Sequence, residues 1–226
     1  MYKNKSFLSF IPARGGSKRL HRKNTLDFCG KPLIAWTIEA SQRSKYIDEV
    51  LVTSEDNEIL NISKKLKATS VKRPVDLASD TSRTFDALIH ALDFIENYDY
   101  QVLLQPTSPL RNEKHIDNAI EFLEEKNADA IISVCEADHS PLWTNTLDDS
   151  LSMKNFISEE VINKRSQDLD KYYRLNGAIY ICKTSKLLEE KTFFLKENIF
   201  AFKMDKSVSV DIDEQFDFEV AKNLIS

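Results

Sequence analysis

Segments typical of β-strands alternate with segments typical of helices along most of this 226-residue chain, and this alternation constrains the fold more than any other feature. The predicted strands cover residues 6–11, 49–54, 69–72, 101–105, 130–134, 177–182 and 199–204. The predicted helices cover residues 32–44, 57–67, 84–97, 113–126, 184–190 and 214–225. Such alternation predicts an α/β fold, with a mainly parallel sheet covered by helices on both faces. Ligands of such sheets bind at the carboxyl ends of strands, so residues that directly follow strands are the candidate site residues.

The alternation stops between residues 136 and 173, where the sequence is polar and has no clear period. No linker or internal repeat divides the rest of the chain. We therefore expect one domain over residues 1–226, with residues 136–173 as an inserted arm or lid.

Composition excludes several classes of protein. The net charge of −5 does not favour a nucleic-acid-binding surface. No apolar run approaches the roughly 18 residues that a membrane-spanning helix needs, and the first residues do not resemble a signal peptide. We therefore expect a cytosolic protein without a membrane partner. Its three cysteines are far apart and form no CxxC motif, which argues against a zinc site or a disulfide framework.

The long loop after the first predicted strand, residues 12–31, contains three of the four glycines of the chain and a cluster of basic residues. A connection of this length inside a compact domain is usually functional. Glycines allow successive backbone N–H groups to converge on an anion, and Arg14, Ser17, Lys18 and Lys23 would add charge and hydrogen bonds. The motif is neither a Walker A loop nor a dinucleotide-binding GxGxxG. We predict a site for the phosphates of a ligand; the alternative is a solvated basic turn.

Two carboxylates two residues apart, Asp211 and Asp213, follow a strand-like run near the end of the chain. Such carboxylates can hold Mg²⁺ beside phosphate groups. Alternatively, Asp211 and Glu214 could cap the last predicted helix. In combination with the basic loop, the metal site is the favoured interpretation.

Five segments, residues 14–38, 72–81, 103–111, 174–181 and 209–217, resemble in the same order the CMP-sialic acid synthetases, or N-acylneuraminate cytidylyltransferases. The most specific is the run LLQPTSPLR at residues 103–111. The resemblance implies a three-layer, Rossmann-like nucleotide-diphospho-sugar transferase fold, with residues 136–173 as a dimerisation arm of a homodimer. It also implies CTP and a nine-carbon 2-keto acid sugar, such as N-acetylneuraminic acid, as substrates, and Mg²⁺ as the cofactor.

The same resemblance suggests roles for individual residues. Those expected to bind the nucleotide are Arg14, Gly15, Ser17, Lys18, Lys23, Asn24, Arg73 and Thr84. Those expected to bind the sugar are Gln105, Arg165, Arg174, Asn176, Tyr180, Phe193 and Phe194, with the two phenylalanines against its acyl group. Asp211 and Asp213 are the expected metal ligands, and Arg14, Lys23 and Asp211 the expected catalytic residues.

One departure from the family leaves the sugar open. Trp143 stands where the resemblance would place a lysine, so a legionaminic-type sugar is an alternative to sialic acid. Synthetases for the eight-carbon sugar Kdo fit less well, because they lack the signature of residues 105–111. A homologue that binds nucleotide without catalysis, or an interaction module, would be the alternatives from other classes.

Overall fold

The computed structural model describes residues 1–225, and the elements found within them follow the predicted alternation. In chain order they are β1 (Phe7–Pro12), β2 (Asp27–Phe28), β3 (Lys31–Pro32), α1 (Leu33–Arg43), β4 (Glu49–Ser54), α2 (Asn57–Lys65), β5 (Thr69–Lys72), α3 (Thr84–Leu92), β6 (Tyr100–Leu103), α4 (Glu113–Glu125), β7 (Ala130–Glu136), β8 (Tyr173–Lys183), α5 (Thr184–Glu190), β9 (Ile199–Lys203) and α6 (Gln215–Ile225).

Seven of these strands form one sheet in the order β5-β4-β1-β6-β8-β7-β9, while β2 and β3 form a separate two-stranded ribbon. Strand β1 pairs in parallel with both β4 and β6, and the pairs β4–β5 and β7–β9 are also parallel. The predicted α/β fold with a mainly parallel sheet is thus confirmed.

Strand β8 is the exception to the parallel arrangement. It lies between β6 and β7 and runs antiparallel to both of them. The chain reaches β8 from β7 through residues 137–172, which contain two short 3₁₀ turns and no covering helix, and it therefore returns in the opposite direction. The strand also begins four residues before the predicted start at residue 177, because Tyr173 pairs with Glu136 at the far end of β7.

Two hydrophobic cores lie on opposite faces of the sheet. Side chains of β1 alternate between them, Phe7 and Ile11 on one face and Leu8 and Phe10 on the other. The first core includes apolar side chains of α1, α2 and α4, and the second includes those of α3 and α5. Helix, sheet and helix therefore form the three layers that the sequence predicts.

Helix α3 ends at Leu92, whereas the apolar period predicted a helix to residue 97. Ile95 still packs against the second core from the turn that follows the helix. Ile95 is apolar because it is partly buried, and its position happens to continue the helical spacing. The predicted helix was therefore too long.

A third, smaller core joins the first loop to the C-terminal part of the chain. It contains Leu20 and Phe28 from the loop together with Ile212 and Phe218 from the segment around α6. The rings of Phe28 and Phe218 pack edge to face, with centroids 5.2 Å apart. This core brings the basic loop and the Asp211–Asp213 region to the same place.

The segment between β7 and β8 carries large apolar side chains that face solvent, among them Leu147, Leu151, Met153 and Ile162. Within residues 1–225, no helix has the length and apolar character needed to cross a membrane.

Candidate active site

A cleft of about 440 Å³ opens at the carboxyl ends of β1, β5 and β6. Its volume is typical of small-molecule sites, which range from about 300 to 1,000 Å³. Residues predicted from the sequence that line this cleft are Arg14, Ser17, Lys23, Asn24, Arg73, Thr84, Gln105, Asp211 and Asp213. The basic loop and the acidic pair thus share one cavity, as the metal–phosphate interpretation requires.

Two cations of the first loop converge on one carboxylate at the cleft. Arg14 donates a hydrogen bond of 2.7 Å to Asp80, and the Lys18 ammonium lies 2.5 Å from the other oxygen of the same carboxylate. The bonds from Lys18 and Arg14 hold the pKa of Asp80 below its usual range. All three side chains are substantially exposed. Asp80 is therefore an anion held between two cations of the first loop.

Gly15 has a different role from the one that we predicted. Its backbone N–H donates to the Glu55 carboxylate at 2.7 Å and is not directed at an anion. A Cβ atom on Gly15 would lie 2.5 Å from an oxygen of Asp56, which caps the N-terminus of α2. The glycine is therefore needed for the close approach of the loop to α2, and it supports the cleft from outside.

Asn24 and Arg73 both line the cleft and brace the loop that carries Arg14. The Asn24 amide donates to the Arg14 carbonyl at 2.9 Å, and the Arg73 guanidinium donates to the Ala13 carbonyl at 3.2 Å and to Glu55 at 3.3 Å. Burial lowers the pKa of Arg73, and the nearby carboxylate of Glu55 opposes this shift. The Asn24 Oδ1 and Arg73 Nε atoms remain without a partner within the described residues. Buried polar atoms of this kind are candidates for ligand contacts.

Lys23 connects the loop to the acidic pair. Its buried ammonium donates to the Ile212 carbonyl and lies 3.2 Å from the Asp213 carboxylate. Arg19 contacts the other oxygen of Asp213 at 2.9 Å. A lysine this deeply buried needs a compensating anion, which Asp213 supplies.

Asp211 is the more buried of the two carboxylates. Burial raises its pKa above the usual range, and a hydrogen bond from the Thr107 side chain opposes this effect. One of its oxygens, Oδ1, has no hydrogen-bond partner in the described part of the chain. An unpaired, buried carboxylate oxygen beside a second carboxylate suits a cation.

The pair Asp211 and Asp213 fits Mg²⁺. It does not fit a metal that takes all of its ligands from protein side chains. No group of three or more metal-binding side chains occurs within residues 1–225, so Asp211 and Asp213 stand as a pair. Mg²⁺ is commonly held by one or two carboxylates together with substrate phosphates and water.

Gln105 and Asp211 meet over a glycine of β8. A Cβ atom on Gly177 would lie 2.7 Å from the Gln105 side-chain oxygen and 3.4 Å from an oxygen of Asp211. Gly177 also has a φ of +72°, a conformation that favours glycine. The bare backbone at this position allows the amide and the carboxylate to lie side by side.

A second cavity, of about 290 Å³, adjoins the cleft and shares Arg83, Thr84 and Gln105 with it. Its walls include Tyr180, Phe193 and Phe194, three of the predicted sugar-binding residues. The Tyr180 ring packs edge to face against both phenylalanine rings, with centroids about 6 Å apart. Burial raises the pKa of the Tyr180 hydroxyl, with a smaller contribution from Asp211. This cavity suits a ligand with both apolar and hydroxyl groups.

Three predicted sugar-binding residues line neither cavity. Arg165 is exposed and bonds to Asp168 within its own turn. Arg174 contacts the Ser209 carbonyl at 3.4 Å and Asp138 at 3.7 Å. Asn176 is buried, and its amide bonds to the hydroxyl groups of Ser133 and Ser209 at 2.6 and 2.9 Å. We therefore assign Asn176 to support of the segment before Asp211, because no face of its amide is free for a sugar.

Asp80 and Thr107 belong to the site, although the sequence analysis gave neither a ligand-binding role. Both lie in segments that carried the family resemblance, which was the one signal that pointed to them. The Thr107 carbonyl accepts a hydrogen bond of 2.8 Å from the Ile212 backbone, in addition to the side-chain bond to Asp211. This turn therefore anchors the acidic segment.

The raised pKa of Asp211 predicts a stabilising substitution. Folding favours the protonated acid, so the ionised form present at neutral pH lowers the free energy of unfolding. Asp211→Asn should raise that free energy by on the order of 1 kcal/mol at pH 7. The gain should disappear below about pH 4, where the acid is protonated in both states. Urea unfolding of the wild type and the variant at several pH values measures this difference in the free energy of unfolding.

Asp213→Asn is the matched control. It removes the carboxylate that compensates buried Lys23, so it should lower the stability at pH 7. A loss of stability in both variants would contradict the assignment of Asp211 as the desolvated member of the pair.

Comparison with known proteins agrees with this architecture. In a solved structure of CMP-2-keto-3-deoxy-manno-octonic acid synthetase complexed with CTP, the chain has the same fold, with a TM-score of 0.73 and 16% identity over 97% of this chain and 98% of the other. At this identity the similarity establishes the fold alone.

Sequence comparison identifies the family. The chain is 35% identical to N-acylneuraminate cytidylyltransferase of Escherichia coli O18:K1:H7 over 95% of its length, but it spans only 51% of that relative. It is 34% identical to CMP-N,N'-diacetyllegionaminic acid synthase of Legionella pneumophila over 96% of its length and 95% of that relative. The family model for cytidylyltransferases matches residues 8–225. The resemblance noted in the sequence is thus confirmed, and the chain belongs to the cytidylyltransferase family.

Proposed function

We propose that this protein is a nucleotidyltransferase that transfers CMP from CTP to a nine-carbon 2-keto acid sugar and releases pyrophosphate, with Mg²⁺ as its cofactor. The observation that carries the proposal is the shared cleft, in which basic side chains of the first loop face two carboxylates from the far end of the chain. Membership of the cytidylyltransferase family supports CTP as the nucleotide.

The nucleotide occupies the 440 Å³ cleft in this proposal. Arg14, Ser17, Lys18 and Lys23 bind the phosphates, since they provide the charge and hydrogen bonds that a triphosphate requires. The remaining nucleotide-binding residues, Asn24, Arg73 and Thr84, hold the cytidine. Gly15 supports the loop.

The sugar occupies the adjoining cavity. The Gln105 side chain lies at the boundary between the cavities, where the attacking hydroxyl must approach the α-phosphate. Tyr180, Phe193 and Phe194 enclose the acyl group of the sugar. Arg174 reaches the carboxylate of the sugar only if the exposed segment around Asp138 moves, because the two residues contact each other in this structure.

Attack by the anomeric hydroxyl on the α-phosphorus forms the new P–O bond, and the bond to pyrophosphate breaks. Asp211 accepts the hydroxyl proton through the carboxylate oxygen that has no partner within the described residues. Arg14 and Lys23 stabilise charge that develops on the phosphoryl oxygens. No histidine lines the cleft within the described residues, so the candidate bases are its carboxylates, Asp80, Asp211 and Asp213. Asp80 and Asp213 are paired with cations of the first loop, which favours Asp211.

Asp211 and Asp213 are the residues that would hold the magnesium ion. When bound, the ion neutralises phosphate charge and lowers the pKa of the attacking hydroxyl. Asp213 is paired with Lys23 and Arg19, so coordination of the metal by Asp213 would leave both cations available for phosphate.

N-acetylneuraminic acid is the first candidate sugar, and an N,N'-diacetyllegionaminic-type acid is the second. The relatives named for these two sugars are 35% and 34% identical to this chain, so overall identity does not separate them. The replacement of the family lysine by Trp143 favours testing both.

Incubation of the purified protein with CTP, Mg²⁺ and each of sialic, legionaminic and pseudaminic acids tests the function, with Kdo as the comparison sugar. We expect pyrophosphate from at least one nine-carbon sugar and none after chelation of the metal. Binding of CTP without pyrophosphate from any sugar would instead indicate a non-catalytic nucleotide-binding protein.

Arg14→Met should raise the KM for CTP about tenfold or more, because the variant loses a charged hydrogen bond to phosphate. The KM for the sugar should change less than twofold. Arg43→Met is the matched control, since Arg43 is an exposed arginine of α1 outside the cleft. An unchanged CTP dependence in Arg14→Met would remove this residue from the nucleotide site.

Gly177→Ala should lower kcat about tenfold or more, because the added methyl group displaces the Gln105 amide from Asp211. Gly30→Ala is the control, since Gly30 also has a positive φ, +89°, but has open space where its Cβ would lie. Both variants should lose on the order of 1 kcal/mol of stability through backbone strain. Equal activity of the two variants would show that close packing at Gly177 does not matter for the reaction.

The active protein is a homodimer in this proposal, with the 136–173 segment as the dimerisation arm. The exposed apolar side chains of that segment support this assignment. Sedimentation velocity should show a dimer, and Leu151→Asp combined with Met153→Asp should raise its dissociation constant at least tenfold. Phe94→Asp, an exposed apolar position outside the arm, should leave the dimer unchanged. A monomeric wild-type protein would contradict the dimer.

A further inference from the structure

Arg111 is an arginine buried beneath the active site without a carboxylate partner. Its side chain is 1% exposed, and it forms no ion pair with any residue in the described part of the chain. Removal of a charge from water is costly unless the charge is compensated. Burial lowers the pKa of Arg111, but an arginine remains a cation at neutral pH. The burial of this uncompensated guanidinium therefore lowers the stability of the fold, and its contacts indicate what it contributes in return.

The contacts of the Arg111 guanidinium are concentrated on one backbone carbonyl. Its Nη2 atom donates to the Thr37 hydroxyl at 2.7 Å and to the Gln105 carbonyl at 3.3 Å. The Thr37 hydroxyl lies 3.4 Å from the same carbonyl. The other two nitrogens, Nε and Nη1, have no partner within residues 1–225. The guanidinium therefore makes only two of its five hydrogen bonds.

The Gln105 carbonyl belongs to a residue that contacts both parts of the site, the 440 Å³ cleft and the adjoining cavity. The side chain of the same residue lines both cavities and lies beside Asp211 over Gly177. Two residues later, the Thr107 carbonyl accepts a hydrogen bond of 2.8 Å from the backbone of Ile212, the residue after Asp211. A shift of this carbonyl would displace the amide on the sugar side and the carboxylate on the metal side together.

We propose that Arg111 is a positioning residue of the transferase reaction. It fixes the Gln105 carbonyl and thereby maintains the relative positions of the Gln105 amide and the Asp211 carboxylate. This inference rests on the proposed function. The guanidinium lines neither cavity, so it acts through Gln105 and not by contact with substrate. The nucleotide-binding residues of the first loop do not depend on it.

Kinetics of Arg111→Met separate this role from a general structural one. We expect kcat/KM for the sugar to fall about tenfold to a hundredfold, because small misplacements of reacting groups have effects of this size. The Kd for CTP measured without metal should change less than threefold, since the basic loop is intact. Arg43→Met, the exposed control of α1, should change neither quantity. An equal loss in both quantities, or no loss in a folded variant, would overturn the inference.

Two more variants strengthen the test. Thr37→Val removes the hydroxyl that bridges Arg111 and Gln105 without a change of shape. It should also lower kcat/KM for the sugar while leaving the Kd for CTP nearly unchanged. It also replaces Arg111→Met if that variant does not fold. Arg111→Lys should not restore activity, because one ammonium cannot reproduce the planar fork and loses its proton more readily when buried. Full rescue by lysine would show that charge alone is sufficient.

Hydrogen exchange tests the same coupling without substrate. Arg111→Met should accelerate exchange about tenfold both in residues 105–110 and at the Ile212 amide, which donates to Thr107. Unchanged exchange at Ile212 would overturn the proposed coupling. If the wild-type protein produced no pyrophosphate, the proposed function would fail, while exchange would still report on the Arg111 contacts.

Discussion

The active site depends on the attachment of the first loop to the C-terminal segment. Phe28 packs against Phe218 and Ile212 in the third core, and the buried ammonium of Lys23 bonds to the Ile212 carbonyl and to Asp213. Apolar packing brings the segments together, and the lysine sets their register through directed bonds. The basic loop and the acidic pair line one cleft as a result of this attachment.

Charge balance within the cleft explains how an acidic protein can accommodate an anionic nucleotide. The cations that face the cleft are paired with carboxylates of the same chain, Arg14 and Lys18 with Asp80 and Lys23 with Asp213. In the proposed function, a metal–triphosphate complex brings both charge types and replaces these partners by exchange. The cations are therefore already oriented before the ligand binds, which reduces the cost of organising the site. In the proposed function, such exchange accounts for the two basic residues that contact Asp213, a half-buried carboxylate.

Two residues that the family resemblance assigned to ligand binding, Gly15 and Asn176, form structural contacts around the cleft. Gly15 allows the loop to approach Asp56, and Asn176 forms a buried network with Ser133 and Ser209. We propose the same kind of role for Arg111, which donates to the Gln105 carbonyl. Residues of both kinds lie in the same motifs, because both contribute to the geometry of the cleft. A sequence pattern therefore indicates which residues matter for the site but does not separate contact from support.

The sequence by itself determined the order of strands and helices, the mainly parallel sheet and the family, since these follow from local periodicity and from motifs that occupy short stretches. It also placed the candidate residues after strands, which is where the cleft lies. Only the tertiary structure decided that β8 runs antiparallel between β6 and β7, that Lys23 pairs with Asp213, and that Arg111 is buried. These features join residues that are far apart in the chain, and their stability comes from packing and charge compensation that no local pattern encodes.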